Sequence, residues 1–306
     1  MSNSGSAFKT ILIIFSVFAL GLFLLIGIGI YSVFTGSEND EDSYTSSLSS
    51  GNKIGIVEIN SEIISSDYVV KQVNEFINSS SIKALVVRVN SPGGGVAASQ
   101  EMYEAIKKFR ETDRPVVISM GGVAASGGYY LALGGTKIMA NPGTVTGSIG
   151  VILQITQLKP LMDKVGVEIK TVKSGKFKDS GSPFRALTSD DQNYFQNVID
   201  DSYDQFVSAV VDERKLPREK VLNLAQGQVF TGRQAYKEGL IDTLGTYDDA
   251  IDYAGTLAGI SGKPETVKKR RDVGLMERLL GESDTESISN IREMFTNKSL
   301  IQYRLQ

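Results

Sequence analysis

The chain reads as an α/β protein with largely parallel strand pairing, preceded by a membrane-spanning segment. Three observations carry that reading. Short apolar runs with no polar face, as strands buried on both sides require, recur through the middle of the chain. Segments with helical spacing lie between several of them. An uncharged apolar stretch of transmembrane length stands near the N-terminus.

That stretch runs from Ile11 to Phe34, interrupted by Ser16, Ser32 and a few glycines. Lys9 precedes it, and Glu38, Asp40, Glu41 and Asp42 follow. The positive-inside bias therefore assigns residues 1–10 to the cytoplasm and the rest of the chain to the outside of a plasma membrane. A cleaved signal peptide fits less well, because its apolar core is shorter and no small-x-small site follows Ile30. Residues 35–52 are polar, acidic and serine-rich, as a flexible tether is. A globular body is expected over 53–260, with a C-terminal tail over 261–306.

In that body, Ile54–Ile59, Ala84–Val89 and Val116–Met120 are the expected central strands, with Lys137–Ala140, Ile149–Leu153 and Glu168–Val172 as further ones. Ala98, Met102, Ala105 and Phe109 mark one helix, and Phe195, Ile199, Phe206 and Val210 a longer one within 189–213. Beyond 273, Leu275, Leu279, Leu280, Ile288, Ile291 and Phe295 also follow helical spacing, so the tail is expected to be helical. The run Lys268-Lys269-Arg270-Arg271 reads as a solvated charge cluster.

Composition narrows the chemistry. Net charge is −3, which gives no reason to expect a nucleic acid partner. The chain has no cysteine and no histidine. Disulfides, thiolate catalysis and Cys-based metal sites are thereby excluded, a catalytic zinc or non-haem iron site is disfavoured, and no cofactor is expected. A Ser-His-Asp relay is impossible.

Ser126 nonetheless sits as a nucleophile would, in Gly-Gly-Val-Ala-Ala-Ser-Gly-Gly-Tyr-Tyr (121–130) after the strand 116–120. Its base must then be another group, and lysine is the main alternative. A second glycine-rich loop, Asn90-Ser91-Pro92-Gly93-Gly94-Gly95, follows the strand 84–89. Loops at the C-terminal ends of parallel strands converge on one crevice. A bare backbone beside a presented serine, with a helix starting after Gly95, is the layout of an oxyanion hole. A lysine acts as base only if its pKa falls from about 10.4 toward neutrality. Lys170, Lys173, Lys176 and Lys178 all cluster in one segment, and spacing does not choose among them.

The motifs together resemble the signal peptide peptidase A family in its short form, membrane-anchored proteases of the ClpP/crotonase-like superfamily. Those motifs are Ser91-Pro92-Gly93-Gly94-Gly95, Ala124-Ala125-Ser126-Gly127-Gly128-Tyr129-Tyr130, Thr146-Gly147-Ser148-Ile149-Gly150, Ser174-Gly175-x-x-Lys178-Asp179, Ser182-Pro183-x-Arg185, and Val229-Phe230-Thr231-Gly232-Arg233 continuing to Asp242. The resemblance implies a fold of repeated β-β-α units. It implies Ser126 as nucleophile, Lys178 as general base and Ser148 orienting the lysine amine. It also implies the Gly93 N–H as oxyanion donor, with a second donor from Ser126 or its neighbour Gly127. Hydrophobic, membrane-derived peptides such as cleaved signal peptides are the implied substrates. A homo-oligomeric ring is implied too, in which Ser126 and Lys178 of one site come from different subunits. A protease specific for a stomatin-like partner, a crotonase-like acyl-CoA enzyme and an inactive ring scaffold are the alternative readings.

Overall fold

The computed structural model describes residues 51–269 and 302–304. The apolar segment 11–34 and most of the tether and tail lie outside the described residues. Among the described residues no helix is long and apolar enough to cross a membrane.

The core is a mainly parallel sheet. Its central strands are β1 (Lys53–Ile59), β2 (Ile82–Ser91) and β4 (Val116–Ala125), in the order β1-β2-β4 and parallel throughout. β9 (Glu265–Lys268) extends the β1 edge in parallel. On the other side β4 divides its partners. Val117–Met120 pairs with β5 (Lys137–Ala140), and Val123–Ala125 pairs with β6 (Val145–Gly147). β7 (Val229–Thr231) adds antiparallel to β6, and β8 (Thr243–Leu244) adds parallel to β5. The central runs are apolar on both faces because both faces are covered.

One face is covered by α8 (Tyr247–Leu257), whose Ala250 and Ala254 lie against Ile54, Ile56, Ala84, Val86 and Val117. Small side chains on this helix let it approach the sheet closely. The other face receives α1 (Asp67–Asn78) and α2 (Val96–Arg110), the helix expected after Gly95. Phe76 of α1 is fully buried against Gly55, where an added Cβ would stand 2.9 Å from its ring. Arg114 closes the C-terminal end of α1. Its guanidinium donates to the carbonyls of Phe76, Ile77, Ser79 and Ile82 at 2.8–3.2 Å, satisfying acceptors the helix leaves open.

The long helix expected within 189–213 is α5 (Ser189–Arg214). Thr188 caps it, and Asp191 completes a capping box. The remaining helices are α3 (Gly127–Ala132), α4 (Lys159–Val165), α6 (Arg218–Leu224) and α7 (Gly232–Glu238).

Two expectations need correction. Residues 149–153 form no strand; Ile152 makes a single antiparallel bridge, to Gln302. Residues 168–172 form no strand either, and Ile169 and Val172 are exposed. Their apolar pattern has no sheet or core face to meet within the protomer, so it does not translate into a ladder. The residues that mark the expected tail helix, Leu275 to Phe295, lie outside the described residues. The described tail residues include β9 and β10 (Gln302–Arg304), which pairs antiparallel with β3 (Gly93–Gly95). At 302–304 the partner strand, a long-range contact, decides the conformation.

Truncating Phe76 to alanine should cost about 3–5 kcal/mol, since the bare Gly55 opposite leaves nothing to refill the space. Calorimetry should then show the melting temperature of Phe76→Ala lowered by on the order of 10 °C.

Candidate active site

Ser126 lies where β4 ends and α3 begins. Two extra residues of β4 enter between the pairs Val89–Met120 and Ser91–Ala124, at Gly121-Gly122. The Asn90 side chain fills the space beside them and accepts a hydrogen bond from the Val123 N–H at 3.2 Å. The strand then resumes, pairs with β6, and turns sharply at Ser126.

The turn is strained. Ser126 has φ 54° and ψ −115°, a conformation that side-chain-bearing residues rarely adopt and that costs about 1–3 kcal/mol. It is over-determined from both sides. The Ser126 N–H donates to the Gly147 carbonyl of β6 at 2.7 Å, and the Ser126 carbonyl accepts the Tyr130 N–H of α3 at 2.8 Å. The hydroxyl is fully buried, and its Oγ has no hydrogen-bond partner among the described residues. Strain and an unsatisfied buried oxygen, both costly, coincide on one serine.

β3 and the start of α3 meet beside it. Gly93 and Gly94 have φ +104° and +156°, in the region that favours glycine. A Cβ on Gly93 would stand 2.8 Å from the Gly127 nitrogen and collide with the Tyr303 carbonyl oxygen of β10. A Cβ on Gly127 would collide with Ser99 Oγ and stand 3.2 Å from the Gly94 nitrogen. Glycine is therefore required at 93 and 94 by close approach as well as by torsion, and at 127 by close approach.

The backbone N–H groups of this edge are directed as follows. The Gly93 N–H is directed to Ser91 Oγ at 3.2 Å, and the Ser126 N–H is spent on Gly147. The Gly93 carbonyl and the Gly95 N–H both face Ile63, at 2.8 and 2.7 Å. Alternation along a strand then turns the Gly94 N–H the other way, toward Tyr303. Gly94 thus pairs with Tyr303, while the Tyr303 carbonyl oxygen and the Gly127 nitrogen both stand close to the bare Cα of Gly93.

Ser148 follows at once after Gly147. It is buried with φ 50°, and its N–H donates to the Gln228 carbonyl at 2.9 Å. Its place beside β6 puts it one residue from the carbonyl that fixes Ser126.

Lys178 lies elsewhere, in the exposed segment between α4 and α5. It lines a cleft of about 480 Å³ with Leu153, Ile155, Thr156, Ser182 and Phe195. Ser126 is not part of that lining, and the unpartnered Ser126 Oγ receives no hydrogen bond from the lysine within the protomer. The structure does separate the four lysines. Lys170 pairs with Glu168 at 3.7 Å, Lys173 with Asp179 at 2.6 Å, and Lys176 with Asp190 at 2.6 Å. Among the described residues Lys178 has no carboxylate partner.

Its neighbour Asp179 is prevented from pairing with it. The Asp179 carboxylate takes Lys173 and, at 3.0 Å, Arg185; Arg185 first and Lys173 second hold it below the usual carboxylate range. Arg185 also makes a two-pronged contact with Asp191 of the α5 cap. Ser180 Oγ and the Thr188 N–H and hydroxyl add to Asp191, at 2.5, 3.0 and 2.7 Å. Sequence reading quoted Arg185 only as part of a motif and passed over Asp191 and Gly94. For the first two, the Ser182-Pro183-x-Arg185 run just before a Thr-x-x-Asp cap was the available signal.

Arg185 above all, then Ser180 and Thr188, hold the Asp191 carboxyl far below its ordinary range. A depressed native pKa contributes stability that is complete above the unfolded value of about 3.9 and fades as pH falls below it. The urea midpoint of Asp191→Asn should therefore trail the wild type by a constant margin between pH 7 and 5, and the gap should begin to narrow as pH falls below about 4. An undiminished gap at pH 3 would count against this network.

Comparison with known proteins gives the site its context. The model of peptidase family S49 matches residues 108–261, and that of Clp protease matches residues 37–145. A putative protease of Synechocystis sp. is 52% identical over 177 residues, covering 58% of this chain and 64% of that protein. Protease 4 of Salmonella typhi is 38% identical over 195 residues, 64% of this chain and 31% of that protein. A putative signal peptide peptidase of Enterococcus faecium is 36% identical over 181 residues, 59% of this chain and 53% of that protein. The chain thus spans less than two thirds of each of these relatives. With a family model covering half its length across Ser126, Ser148 and Lys178, the chain belongs to peptidase family S49.

Proposed function

We propose that this protein is a serine endopeptidase with a Ser126–Lys178 dyad, built on a ClpP/crotonase-like fold. The observation that carries the reading is Ser126 itself: a strained, buried serine whose hydroxyl has no partner, beside backbone N–H groups with no side chains to cover them. Membership of peptidase family S49 and the match to the Clp protease model support it.

In the proposed reaction neutral Lys178 takes the proton from Ser126 Oγ as the oxygen attacks the scissile carbonyl. The carbonyl oxygen becomes an oxyanion held by the N–H groups of Gly94 and Gly127. The lysinium protonates the leaving amine, and the C–N bond breaks to leave a Ser126 ester. Water then attacks that ester, gives its proton to Lys178, and releases the acid and the free serine. Ser148 orients the amine.

The dyad is completed, in this proposal, by a second copy of the chain in a homo-oligomeric ring. Two features of the protomer support that. Among the described residues Ser126 Oγ has no hydrogen-bond partner and Lys178 has no carboxylate partner. The segment bearing Lys178 also presents Leu161, Val165, Val167, Ile169, Val172 and Phe177 as exposed apolar side chains, a surface suited to a neighbour. Substrates are proposed to be hydrophobic, membrane-derived peptides, including cleaved signal peptides. A single-pass anchor at 11–34 would hold the catalytic domain on the outer side of the plasma membrane; the apolar run and its flanking charges support this.

Either Ser126→Ala or Lys178→Ala should lower peptide turnover by at least about a thousandfold. Mixing the two inactive variants should restore roughly a quarter of wild-type activity if neighbours share sites, the chance that adjacent subunits supply an intact pair. No recovery in co-assembled rings would sink the shared site. Turnover by the wild type should also rise with pH, because only the neutral amine accepts a proton; a flat profile from mildly acidic to alkaline pH would remove Lys178 as base.

A further inference from the structure

The stretch that carries Lys178 is fastened to one face of α5, and we propose that Arg185 is the positioning residue that holds this lysine in its working place. The proposal rests on the Ser126–Lys178 reading above. Residues 175–182 belong to no helix or strand. Successive turns shape them: the N–H groups of Lys178, Ser180 and Ser182 donate to the carbonyls of Gly175, Phe177 and Asp179 at 3.1–3.2 Å. Turns on an exposed stretch do not by themselves hold a side chain to the tolerance that proton transfer demands.

The first turns of α5 supply what is missing. Lys176 pairs with Asp190 at 2.6 Å, and Phe177 stacks on Tyr194 with ring centroids 5.1 Å apart. Ser180 Oγ donates to Asp191 at 2.5 Å, and Gly181 passes so near Phe195 that an added Cβ would stand 3.3 Å from its ring. Positions 190, 191, 194 and 195 share one face of a helix. The residues on both sides of Lys178 are therefore tied to that face. Lys178 itself makes no ion pair among the described residues and lines the cleft with Leu153 and Ile155.

Asp179, the residue next to Lys178, is the tie that needs help. It has the same charge as Asp190 and Asp191, so on its own it is repelled by the helix face its neighbours join. Lys173 neutralises it, but from within the same stretch, and so does not fasten it to α5. Arg185 does. Its Nη2 donates both to Asp179, at 3.0 Å, and to the buried Asp191, at 2.9 Å, while Nη1 donates to the other oxygen of Asp191. To make these contacts the guanidinium leaves its own buried Nε without an acceptor, so the two carboxylates set its orientation. A lysine, with a single nitrogen, has no fork to span them. Without Arg185 the two carboxylates repel, and the Lys178 amine shifts with the backbone of Asp179.

Steady-state turnover of a peptidyl coumarin amide by the full-length protein separates this role from a merely structural one. Arg185→Gln should lower kcat about 10- to 100-fold, the effect of displacing a reacting group by about 1 Å, and change KM by less than about twofold. Arg185→Lys, which restores the charge without the fork, should fall between Arg185→Gln and the wild type. In Lys178→Ala protein, Arg185→Gln should have no further effect on the residual turnover, because the group it positions is gone. Tyr194→Ala removes one tie at a half-exposed ring and keeps the test alive should Arg185→Gln fail to fold. It should lower kcat about threefold, and that effect too should vanish in Lys178→Ala. Equal losses with and without Lys178, or a rise in KM with kcat unchanged, overturn the positioning role. Wild-type turnover by Lys178→Ala would instead defeat the dyad on which the proposal rests.

Discussion

The site depends on one hydrogen bond, from the Ser126 N–H to the Gly147 carbonyl. It ties the last residue of β4 to β6 and so holds Ser126 at a positive φ that its side chain disfavours. Released, the backbone would relax by one to a few kcal/mol, and the hydroxyl would swing away from the glycine edge. The bond exists because β4 changes partner halfway along, from β5 to β6, after the Gly121-Gly122 irregularity. A bulge early in one strand thus sets the torsion of a single serine at its end.

The same bond redistributes donors. By consuming the Ser126 N–H it leaves Gly127 as the next available N–H, at the start of α3, and the curl of β3 around Ile63 presents Gly94 opposite it. Backbones meet here closer than side chains permit, which is why glycines stand at 93, 94 and 127. On the lysine side the logic is charge accounting. Arg185 and Lys173 saturate Asp179, and Lys176 takes Asp190, so the carboxylates near Lys178 are occupied by other cations.

Much of this was legible in the chain. The central strands and the long helix announce themselves because burial on both faces forces continuous apolar runs and an amphipathic helix forces a 3.6-residue period. Ser126 stands out because no histidine or cysteine competes with it. The failures share one cause. Residues 168–172 carry a strand-like pattern without a partner strand, and 302–304 become a strand only because β3 and Ile152 are there to pair with. Pattern reports what a segment can bury, not what it will meet. Which way the N–H groups of Gly93 and Gly94 point follows from ladder alternation, which needs the partner's register.

Sequence alone therefore determined the α/β class, the serine that stands out as a candidate nucleophile and the lack of an imidazole base, since these depend on composition and on local period. Tertiary structure alone decided which of the four clustered lysines has no carboxylate partner among the described residues, how close the glycine backbones come, and that Tyr303 lies in an aromatic box beside Gly93. Each of these is a relation between groups far apart in the chain. Such relations are fixed by closure of the sheet and packing of the helices, and no residue type encodes them by itself.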